Sequence, residues 1–554
     1  MRTIKFCLLL PLIFLTHLSA AQKAVIASAK AAPARPKLIV GIVVDQMRYD
    51  YLFKYGNKFS EKGFKRLMKE GFLCRNANYS YVPTYTAPGH ACIYTGTTPA
   101  VNGIVSNEWY DRYSKSEVYC VSDSTVFPVG TDNESGKMSP HRMMSTTITD
   151  ELRTASHFRS KVIGISLKDR GSILPAGHTP TAAYWHDPSS DNWVSSSYYM
   201  VELPSWLKAY NARKRADTFL SKPWTPLLPI SAYTESSADS TAYESLFPGE
   251  TMPVFPHDLP AIRPKMADLI RKTPFGNTFT REAAMEAIKG ENLGKGNETD
   301  FIAISFSSTD YVGHMYGTQA IELEDTYLRL DADLAELLTF LDSWTGKNNT
   351  LVFLTADHGA ADNVLFSEDH DLPGGNLNFT PWSDSLGKYL ESRYGPGKYI
   401  VNSYSTGVYL DHALLTEKKI ERNDIQNACA AYLSGIPQVA AVLTAEELKK
   451  ESICNGPGSF MERGYYDQRS PDITMVLQPG WMEWFRTTGT THGSPYSYDT
   501  HVPLLFYGWK ISPGSTADPV DICDIAPTLS TLLNIPFPSG TIGKPIRAVM
   551  NDNR

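Results

Sequence analysis

Five short stretches of the chain are almost continuously apolar and rich in β-branched residues. They are KLIVGIVV at residues 37–44, KVIGISL at 161–167, DFIAISF at 300–306, TLVFLTA at 350–356 and HVPLLFYG at 501–508. Such runs are typical of strands covered on both faces, as in a parallel sheet. Residues 321–344 instead repeat apolar positions every three or four residues, which predicts a long helix. The alternation predicts an α/β fold with a doubly wound, mostly parallel central sheet and helices on both faces.

Two long regions break this rhythm. Residues 171–290 are rich in Ser, Pro, Trp and Tyr, and residues 362–490 mix loops with one amphipathic helix expected at 414–433. We expect both regions to be cap insertions over the carboxyl ends of the strands. Their aromatic residues would then either contact a ligand or simply pack the surface, and the pattern leaves both interpretations open.

The first 21 residues have the layout of a cleaved secretory signal. Arg2 and Lys5 precede an apolar run from Phe6 to Leu15, and small residues end at Ala21. The run is shorter than the about 20 residues that a membrane helix needs. We therefore expect an exported protein, periplasmic or secreted, with no membrane as partner. An Ala-rich linker at 22–36 would lead into one large domain at 37–554.

Composition and charge narrow the class of partner. The 554 residues include 42% hydrophobic and 20% charged residues, as in soluble globular proteins, and their net charge is −7. Without residues 1–21, which carry two basic and no acidic residues, the charge becomes −9. An acidic chain argues against nucleic acid as the main partner, because binding a phosphate backbone needs a basic surface.

Six cysteines follow the expected signal, at Cys74, Cys92, Cys120, Cys429, Cys454 and Cys523. An even number in an exported chain permits disulfides but leaves their pairing open. No CxxC pair occurs, which argues against a zinc site built from thiolates.

Carboxylates follow three of the predicted strands. Asp45 follows the first apolar run, Asp310 the third and Asp357 the fourth. Ligands of open α/β sheets bind beyond the carboxyl ends of the strands, so we expect these three side chains on one rim. An aspartate after a strand is also a common helix cap, so position alone does not make it a ligand.

Three histidines join these carboxylates. His314 lies four residues after Asp310, which puts both on one face of a helical turn, and His358 directly follows Asp357. His492 lies in a glycine-rich loop before the last apolar run. Three carboxylates and three imidazoles would form two sites of three ligands each, as in catalytic zinc sites.

The chain has 13 histidines, so three of them can match a metal-ligand pattern by chance. A second cluster of Asp and His residues is also a candidate metal site. Asp369, His370 and Asp371 are consecutive, but no predicted strand precedes them. We expect that cluster to be an exposed loop rather than a metal site.

The stretch TYTAPGHACIYTG at 84–96 places Thr86 before a sharp turn expected at Pro88 and Gly89. Either Thr86 is an ordinary turn residue before a helix, or the bend aims its hydroxyl as a nucleophile.

Together these segments resemble the alkaline phosphatase superfamily, in its branch of nucleotide pyrophosphatases and phosphodiesterases. The similarity is greatest to bacterial alkaline phosphatases of the monoesterase type that use a threonine nucleophile. It spans residues 38–545 and rests on VVDQMRYDYL, PTYTAPGHACIYTG, SSTDYVGHMYG, TADHGAAD, TTHGSPYSYDTHVPLLFYG and DICDIAPTLSTLLNI.

The resemblance implies two zinc ions per chain. One would be bound by Asp310, His314 and His492, and the other by Asp45, Asp357 and His358. It further implies that Thr86 is the nucleophile and that Asn107, in NGIVSNEW, contacts a substrate oxygen. SLKDRGS resembles the Lys-x-Arg pair of monoesterases, which points to Lys168 and Arg170.

These assignments predict a zinc-dependent alkaline phosphatase that hydrolyses small phosphate monoesters through a phosphothreonine intermediate, and we expect it to be a monomer. Two cations near the phosphoryl group favour a monoester dianion over a diester monoanion. The alternatives are a phosphodiesterase or nucleotide pyrophosphatase with the same two-zinc site, and Lys168 and Arg170 in a merely solvated turn.

Other classes fit less well. A sulfatase needs a C/S-x-P-x-R motif that the nucleophile region lacks, and cofactor-independent phosphoglycerate mutases use serine and have no export signal. A non-catalytic metal or phosphate binder remains an alternative that metal analysis would test. His90, Cys92 and His501 lie within these motifs, and we expect them to have packing or orienting roles.

Overall fold

The structure is a computed structural model that describes residues 35–404, 407–450, 453 and 455–550. The predicted signal and nearly all of the predicted linker lie outside the described residues. From Pro36 onward the described chain forms a single unit. Within these ranges no helix combines the length and apolarity needed to span a bilayer.

The strands, in chain order, are β1 Leu38–Val44, β2 Phe72–Asn78, β3 Glu108–Asp111, β4 Ser116–Tyr119, β5 Pro128–Val129, β6 Val162–Ser166, β7 Ala182–Asp187, β8 Asn192–Ser196, β9 Asp300–Phe306, β10 Thr350–Thr355, β11 Gly375–Asn376, β12 Ile400–Tyr404, β13 Gly407–Leu410, β14 Val439–Thr444, β15 Ile473–Leu477, β16 Trp481–Met482, β17 His501–Gly508, β18 Gly514–Thr516 and β19 Val520–Asp521.

The α-helices are α1 Tyr51–Lys54, α2 Phe64–Glu70, α3 Thr86–Thr95, α4 Pro99–Asn102, α5 Ile148–Ala155, α6 Asp169–Ala176, α7 Ser205–Ala212, α8 Arg215–Leu220, α9 Leu259–Ile262, α10 Phe275–Gly290, α11 Ser308–Tyr316, α12 Ile321–Thr345, α13 Val364–Asp369, α14 Thr380–Tyr394, α15 His412–Glu417, α16 Arg422–Leu433, α17 Ala445–Lys450, α18 Pro457–Gly464, α19 Ser497–Thr500 and α20 Ile525–Leu533. Short 3₁₀ turns lie at Glu134–Gly136, Ile230–Ala232, Arg263–Lys265, Leu269–Lys272, Ile522–Asp524 and Arg547–Val549.

Eleven strands form the central sheet, in the order β18-β2-β17-β10-β1-β9-β6-β7-β8-β5, with β19 also paired to β2. The central strands β10, β1, β9, β6 and β7 are parallel to their neighbours in that run. All seven residues of β1 are buried, so both faces of the sheet are covered at its centre. Helices α6 and α10 are among those that pack on the sheet. The predicted α/β class and mostly parallel sheet are confirmed.

The strand predicted at 501–508 is confirmed as β17, and it is antiparallel to both β10 and β2. One predicted helix was wrong in detail. The helix expected at 414–433 is two helices, α15 and α16, because Lys419 between them adopts a left-handed backbone with φ 56°. A hydrophobic pattern predicts which positions are buried. It predicts neither the direction of a strand nor a single residue whose backbone conformation interrupts a helix.

The two expected cap regions differ from each other. Strands β7 and β8 lie within residues 171–290 yet belong to the central sheet, so only part of that range can be an insertion. Residues 362–490 contain a separate four-stranded sheet, in the order β12-β13-β15-β14, with its own apolar core. This second sheet is therefore separate from the central one.

Candidate metal centre

Three adjacent strands bring carboxylates to one rim of the central sheet. Strand β1 lies between β9 and β10 and is parallel to both. Asp45 follows β1 directly, Asp357 follows β10 by two residues, and Asp310 lies in the first turn of α11 after β9. All three are buried. The structure therefore brings together the three carboxylates that the strand ends indicated.

His492 reaches this rim because β17 runs in the opposite direction. Thr355, at the carboxyl end of β10, pairs with Leu504 near the start of β17. The residues that precede β17 therefore lie where the parallel strands end. A loop before an antiparallel strand and loops after parallel strands thus meet in one place.

The ligand atoms form two groups in which all atoms lie within 4.8 Å of one another, namely Asp45 with Asp357 and His358, and Asp310 with His358 and His492. His314 adjoins the second group, because its Nε2 lies 3.1 Å from Asp310 Oδ1. The ring of His358 also stacks on that of His492, with centroids 3.4 Å apart. All six predicted ligands meet, and His358 stands between the two groups rather than in one alone.

A backbone carbonyl orients each of the three imidazoles. His314 Nδ1 bonds Thr490 O over 2.7 Å, His358 Nδ1 bonds Gly359 O over 2.9 Å, and His492 Nδ1 bonds Thr84 O over 2.7 Å. Since a carbonyl only accepts, each Nδ1 must donate. The Nε2 atoms then face the carboxylates, so each ring can bind a metal through Nε2 once that nitrogen is deprotonated.

Burial sets the charges of these groups. It raises the pKa of Asp45, which the charges of Asp310 and Asp357 raise further, and it raises the pKa of Asp357 to about 7. Burial also lowers the pKa of His492 to about 3 and holds that of His358 well below its usual value. For His314 burial lowers the pKa, but the neighbouring Asp310 carboxylate outweighs burial, so that pKa is raised. Crowded buried carboxylates form a site that a bound cation would stabilise.

Lys168 supplies positive charge at the same place. Its Nζ lies 2.6 Å from Asp310 Oδ2 and 2.7 Å from Asp45 Oδ2. Burial alone would raise the pKa of Asp310, but His314 and Lys168 together hold it well below the usual value. The same ammonium lies 3.3 Å from Thr86 Oγ1, so it links the carboxylates to the hydroxyl.

Several ligand atoms are left without a hydrogen bond. Asp45 Oδ1, Asp357 Oδ2 and His358 Nε2 are buried and have no hydrogen-bond partner within the described part of the chain. Such atoms are costly unless something binds them. Oxygen and nitrogen donors in sets of three are what divalent cations such as zinc take in catalytic sites. The residues present therefore fit two divalent cations.

Thr86 is the first residue of α3 and is almost fully buried. The turn expected at Pro88 and Gly89 was wrong, because both lie inside the helix and the chain changes direction at the extended Tyr85. The hydroxyl thus lies at the positive end of a ten-residue helix, where an anion is favoured.

Gly89 lets α3 approach the loop that carries Asp357 closely. A Cβ at this position would lie 2.3 Å from Asp357 O, which is too close for any side chain. His90, in the next position, also helps to fix this helix. Its Nδ1 donates to Thr86 O over 2.9 Å, and its Nε2 contacts Ser305 Oγ at 2.9 Å. His90 thus has the orienting contacts expected of it.

Asn107 lies beside the start of α3. Its Oδ1 accepts a hydrogen bond from Ala87 N over 2.9 Å. That bond fixes the amide orientation and makes Nδ2 the group available to donate to a ligand oxygen.

Arg170 follows Lys168 at the start of α6, and a tyrosine holds it. Its Nη1 donates to Tyr119 Oη over 2.9 Å, while the Tyr119 hydroxyl donates to Asp169 Oδ1. The side chains of Lys168 and Arg170 come from opposite ends of one Lys-Asp-Arg turn, and both are buried or partly buried. The predicted pair is therefore ordered, not a solvated turn.

Sequence reasoning missed two residues that support this site. Gln46 Nε2 donates to Asp310 Oδ1 over 2.9 Å, and Gln46 N donates to Asp357 Oδ1 over 3.2 Å. Gln46 has φ 65°, an uncommon conformation outside glycine. The only sequence feature that could have identified Gln46 is its position directly after Asp45. No sequence feature identified Tyr119, which lies in a hairpin about 50 residues from Arg170.

The rival cluster of Asp369, His370 and Asp371 is exposed, at the end of α13 and in the turn that follows. It does not gather ligand atoms into a group of the kind formed at the rim, among the residues the structure describes.

Comparisons with known proteins agree with this architecture. The family described as Type I phosphodiesterase / nucleotide pyrophosphatase matches residues 39–495. Alkaline phosphatase PafA of Elizabethkingia meningoseptica is 44% identical over 94% of this chain and 95% of its own. Its crystal structure covers 94% of this chain and 100% of its own, with a TM-score of 0.91. A structure of a variant of PafA with one threonine, one asparagine, one lysine and one arginine substituted matches equally well.

Two further relatives have similar identity. Alkaline phosphatase PhoV of Synechococcus elongatus is 42% identical over 98% of both chains. A protein of Myroides odoratus named calcium-transporting ATPase is 43% identical over 95% of this chain and 96% of its own. With a family match over most of its length and relatives of this identity, the chain belongs to the type I phosphodiesterase / nucleotide pyrophosphatase family, within the alkaline phosphatase superfamily.

Proposed function

We propose that this protein is an exported alkaline phosphatase that hydrolyses phosphate monoesters, with Thr86 as the nucleophile and two zinc ions as cofactors. The observation that carries the proposal is the placement of the Thr86 hydroxyl, 3.3 Å from Lys168 Nζ and at the rim where six ligand side chains meet. Two relatives at 44% and 42% identity are named alkaline phosphatases, which supports the same reaction class.

The six rim residues would hold the two cations in the groups described above. When bound, zinc lowers the pKa of a hydroxyl and neutralises negative charge on oxygen. His314, His358 and His492 contribute neutral Nε2 lone pairs, and the three aspartates contribute the negative charge that balances the cations.

Thr86 Oγ loses its proton and attacks the phosphorus in line with the leaving group, so a phosphothreonine forms as the P–O bond to the alkoxide breaks and the alkoxide takes up a proton to leave as the alcohol. The amino end of α3 and the Lys168 ammonium lie beside that oxygen, so both can stabilise non-bridging phosphoryl oxygens. Asn107 Nδ2 adds a donor, because its Oδ1 already accepts from Ala87 N. Water then cleaves the phosphothreonine and frees the Thr86 hydroxyl for another turnover.

Lys168 and Arg170 favour a monoester as the substrate. A monoester presents more negative charge on its non-bridging oxygens than a diester, and two ordered cations gain most from that charge. The terminal phosphate of ATP has the same character, so release of phosphate from ATP is compatible with this site and with the name of the Myroides relative. A phosphodiesterase with the same metal site is the alternative.

Paired kinetics test the substrate class. We expect kcat/KM for an aryl phosphate to exceed that for the corresponding methyl aryl diester by several orders of magnitude. A higher value for the diester would reject the monoesterase and favour the alternative.

Metal analysis and Thr86 variants test the chemistry. We expect about two zinc ions per chain, restoration of activity when zinc is added to the metal-free protein, and loss of turnover in Thr86→Ala with zinc content unchanged. Thr86→Ser is the matched control and should keep part of the activity. Fewer than two metals, or full activity in Thr86→Ala, would favour a binding protein or another nucleophile.

Export is tested separately. We expect the amino terminus of the protein recovered from the periplasm or medium to lie near residue 22. Retention of the first 21 residues in active protein would contradict the expected cleavage.

A further inference from the structure

Two buried cysteines meet beneath the helix that carries Thr86. Cys92 lies in α3, and Cys523 lies in the 3₁₀ turn Ile522–Asp524 that precedes α20. Their Sγ atoms are 3.1 Å apart, although 431 positions separate them in sequence. Both side chains are buried, with exposed fractions of 0% and 1%.

The two sulfurs lie within reach of a disulfide bond. The observed 3.1 Å leaves about 1 Å to close to reach a disulfide bond of about 2.0 Å. A metal ion held by the two thiolates and one carboxylate is the alternative for the same group.

Asp521 is the third group near these sulfurs, but it has another role. Its Oδ1 accepts from Cys523 N over 2.9 Å, and with Asp524 it forms a capping box on the 3₁₀ turn. This capping role accounts for the position of Asp521 without a metal ion.

The other described cysteines, Cys74, Cys120 and Cys429, are also buried, but the structure brings no second sulfur to them among the described residues. Cys454 lies outside the described residues. Proximity therefore selects one pair from the six cysteines whose pairing the sequence left open.

We propose that Cys92 and Cys523 form a disulfide when the protein matures in an oxidising compartment. The two thiols lose two protons and two electrons, and a disulfide donor such as oxidised glutathione or a thiol oxidoreductase is reduced to two thiols. The proposal rests on the proposed export, because a reducing cytosol would keep both thiols reduced.

Burial determines when this bond can form. It raises the pKa of the Cys92 thiol, and the contact with Cys92 together with burial raises that of Cys523. Exchange requires a thiolate that the donor can reach, so oxidation must precede the final packing of the carboxyl-terminal segment. Once formed, the bond is shielded from reductants.

The bond would fasten α3 to the carboxyl-terminal segment at a place where the two already touch. Ile542 N and Gly543 N both donate to Gly96 O, just after α3 ends. Thr541 Oγ1 also donates to Thr95 O over 3.2 Å. A cross-link here constrains the helix that positions the nucleophile and closes a loop of several hundred residues in the unfolded chain.

Mass spectrometry tests the bond directly. The protein is sent to the periplasm of a host by the host's own signal, or kept in its cytoplasm without one, so the test does not depend on native export. Free thiols are alkylated under denaturing conditions before digestion. We expect a linked pair of peptides containing Cys92 and Cys523 in the periplasmic sample, lighter by two hydrogens than the two reduced peptides. Alkylation of both residues in that sample would overturn the proposal.

Variants separate the bond from simple packing. Cys523→Ala should make Cys92 alkylatable in the periplasmic protein, whereas Cys74→Ala should leave the linked peptides intact. At ambient temperature kcat/KM of Cys523→Ala should remain within twofold of the parent. The half-life of thermal inactivation should fall at least fivefold for Cys523→Ala made in the periplasm, and by less than twofold when both proteins are made in the cytoplasm. Equal loss in both compartments would assign the effect to packing and overturn the proposal.

Discussion

The Lys168 ammonium lies between the carboxylates of Asp45 and Asp310 and reaches within 3.3 Å of the Thr86 hydroxyl. One side chain thus faces both the predicted metal ligands and the predicted nucleophile. Because it is almost fully buried, its charge acts with little screening.

Removing this charge should affect monoesters most. We expect Lys168→Ala to lower kcat/KM for an aryl phosphate by about 10²–10³-fold, as for other lost transition-state contacts. Loss for a methyl aryl diester should be about tenfold at most. Steady-state kinetics on both substrates measure the difference, with Lys161→Ala as a control outside the site. Equal losses on the two substrates would mean that Lys168 does not select the monoester.

Tyr119→Phe should act through Arg170. The variant removes the hydroxyl that accepts from Arg170 Nη1 and donates to Asp169. We expect a loss of about tenfold in monoester kcat/KM, in line with a hydrogen bond to a charged group. In an Arg170→Ala background the same change should have little further effect. Tyr113→Phe is the matched control, because Tyr113 is 98% exposed. Additive losses would show that Tyr119 acts independently of Arg170.

Gln46→Ala should weaken metal binding while the fold is retained. The variant removes a donor to Asp310 and keeps the main-chain donor to Asp357. Losing such an outer contact typically costs about 10–100-fold in metal affinity. Zinc competition with a chelator measures it.

Gly313→Ala offers a second approach to the same contact. A Cβ at residue 313 would lie 1.9 Å from Gln46 Oε1, so the glutamine side chain must move. We expect the zinc affinity of Gly313→Ala to fall as in Gln46→Ala. Unchanged zinc affinity in both variants would show that Gln46 does not support the metal site.

Zinc should stabilise the protein more at pH 8 than at pH 6.5. Burial raises the pKa of Asp357 to about 7, so the metal-free fold keeps a proton there that the unfolded chain has lost. Its contribution to stability therefore falls as the pH rises through about 7, while deprotonation favours zinc. His492, whose pKa burial lowers to about 3, changes metal-free stability only below the ordinary histidine value.

Melting temperatures with and without zinc at the two pH values measure this effect. We expect the increase in melting temperature caused by zinc to be larger at pH 8 than at pH 6.5. In Asp357→Asn this difference between the two pH values should be smaller. A zinc-induced increase that is smaller at pH 8 than at pH 6.5 would contradict the raised pKa of Asp357.

The strand pattern predicted the rim because position at a strand end is a property of sequence order. Asp45, Asp310 and Asp357 each follow a buried run, and parallel strands necessarily end on one side of a sheet. His492 was predicted from its loop before the last apolar run, and the antiparallel direction of β17 explains why that loop reaches the same rim.

The supporting contacts could not be predicted in this way. Gln46 and Tyr119 matter through single hydrogen bonds to residues far away in sequence, and neither lies in a periodic pattern. The contact between Cys92 and Cys523 depends on how the last strands and turns pack beneath α3. Such relationships follow from tertiary packing, which the order of residues along the chain does not display.

The close approach at Gly89 has a practical consequence for redesign. Main chain lies against main chain there, so the distance from residue 86 to the ligand loop is set by the backbone and is independent of side-chain rotamers. Replacing Thr86 by serine or cysteine should therefore change the reactivity of the proposed nucleophile while the main chain at residue 86 keeps its place. Position 86 is therefore suited to comparing different nucleophilic side chains on one fixed backbone.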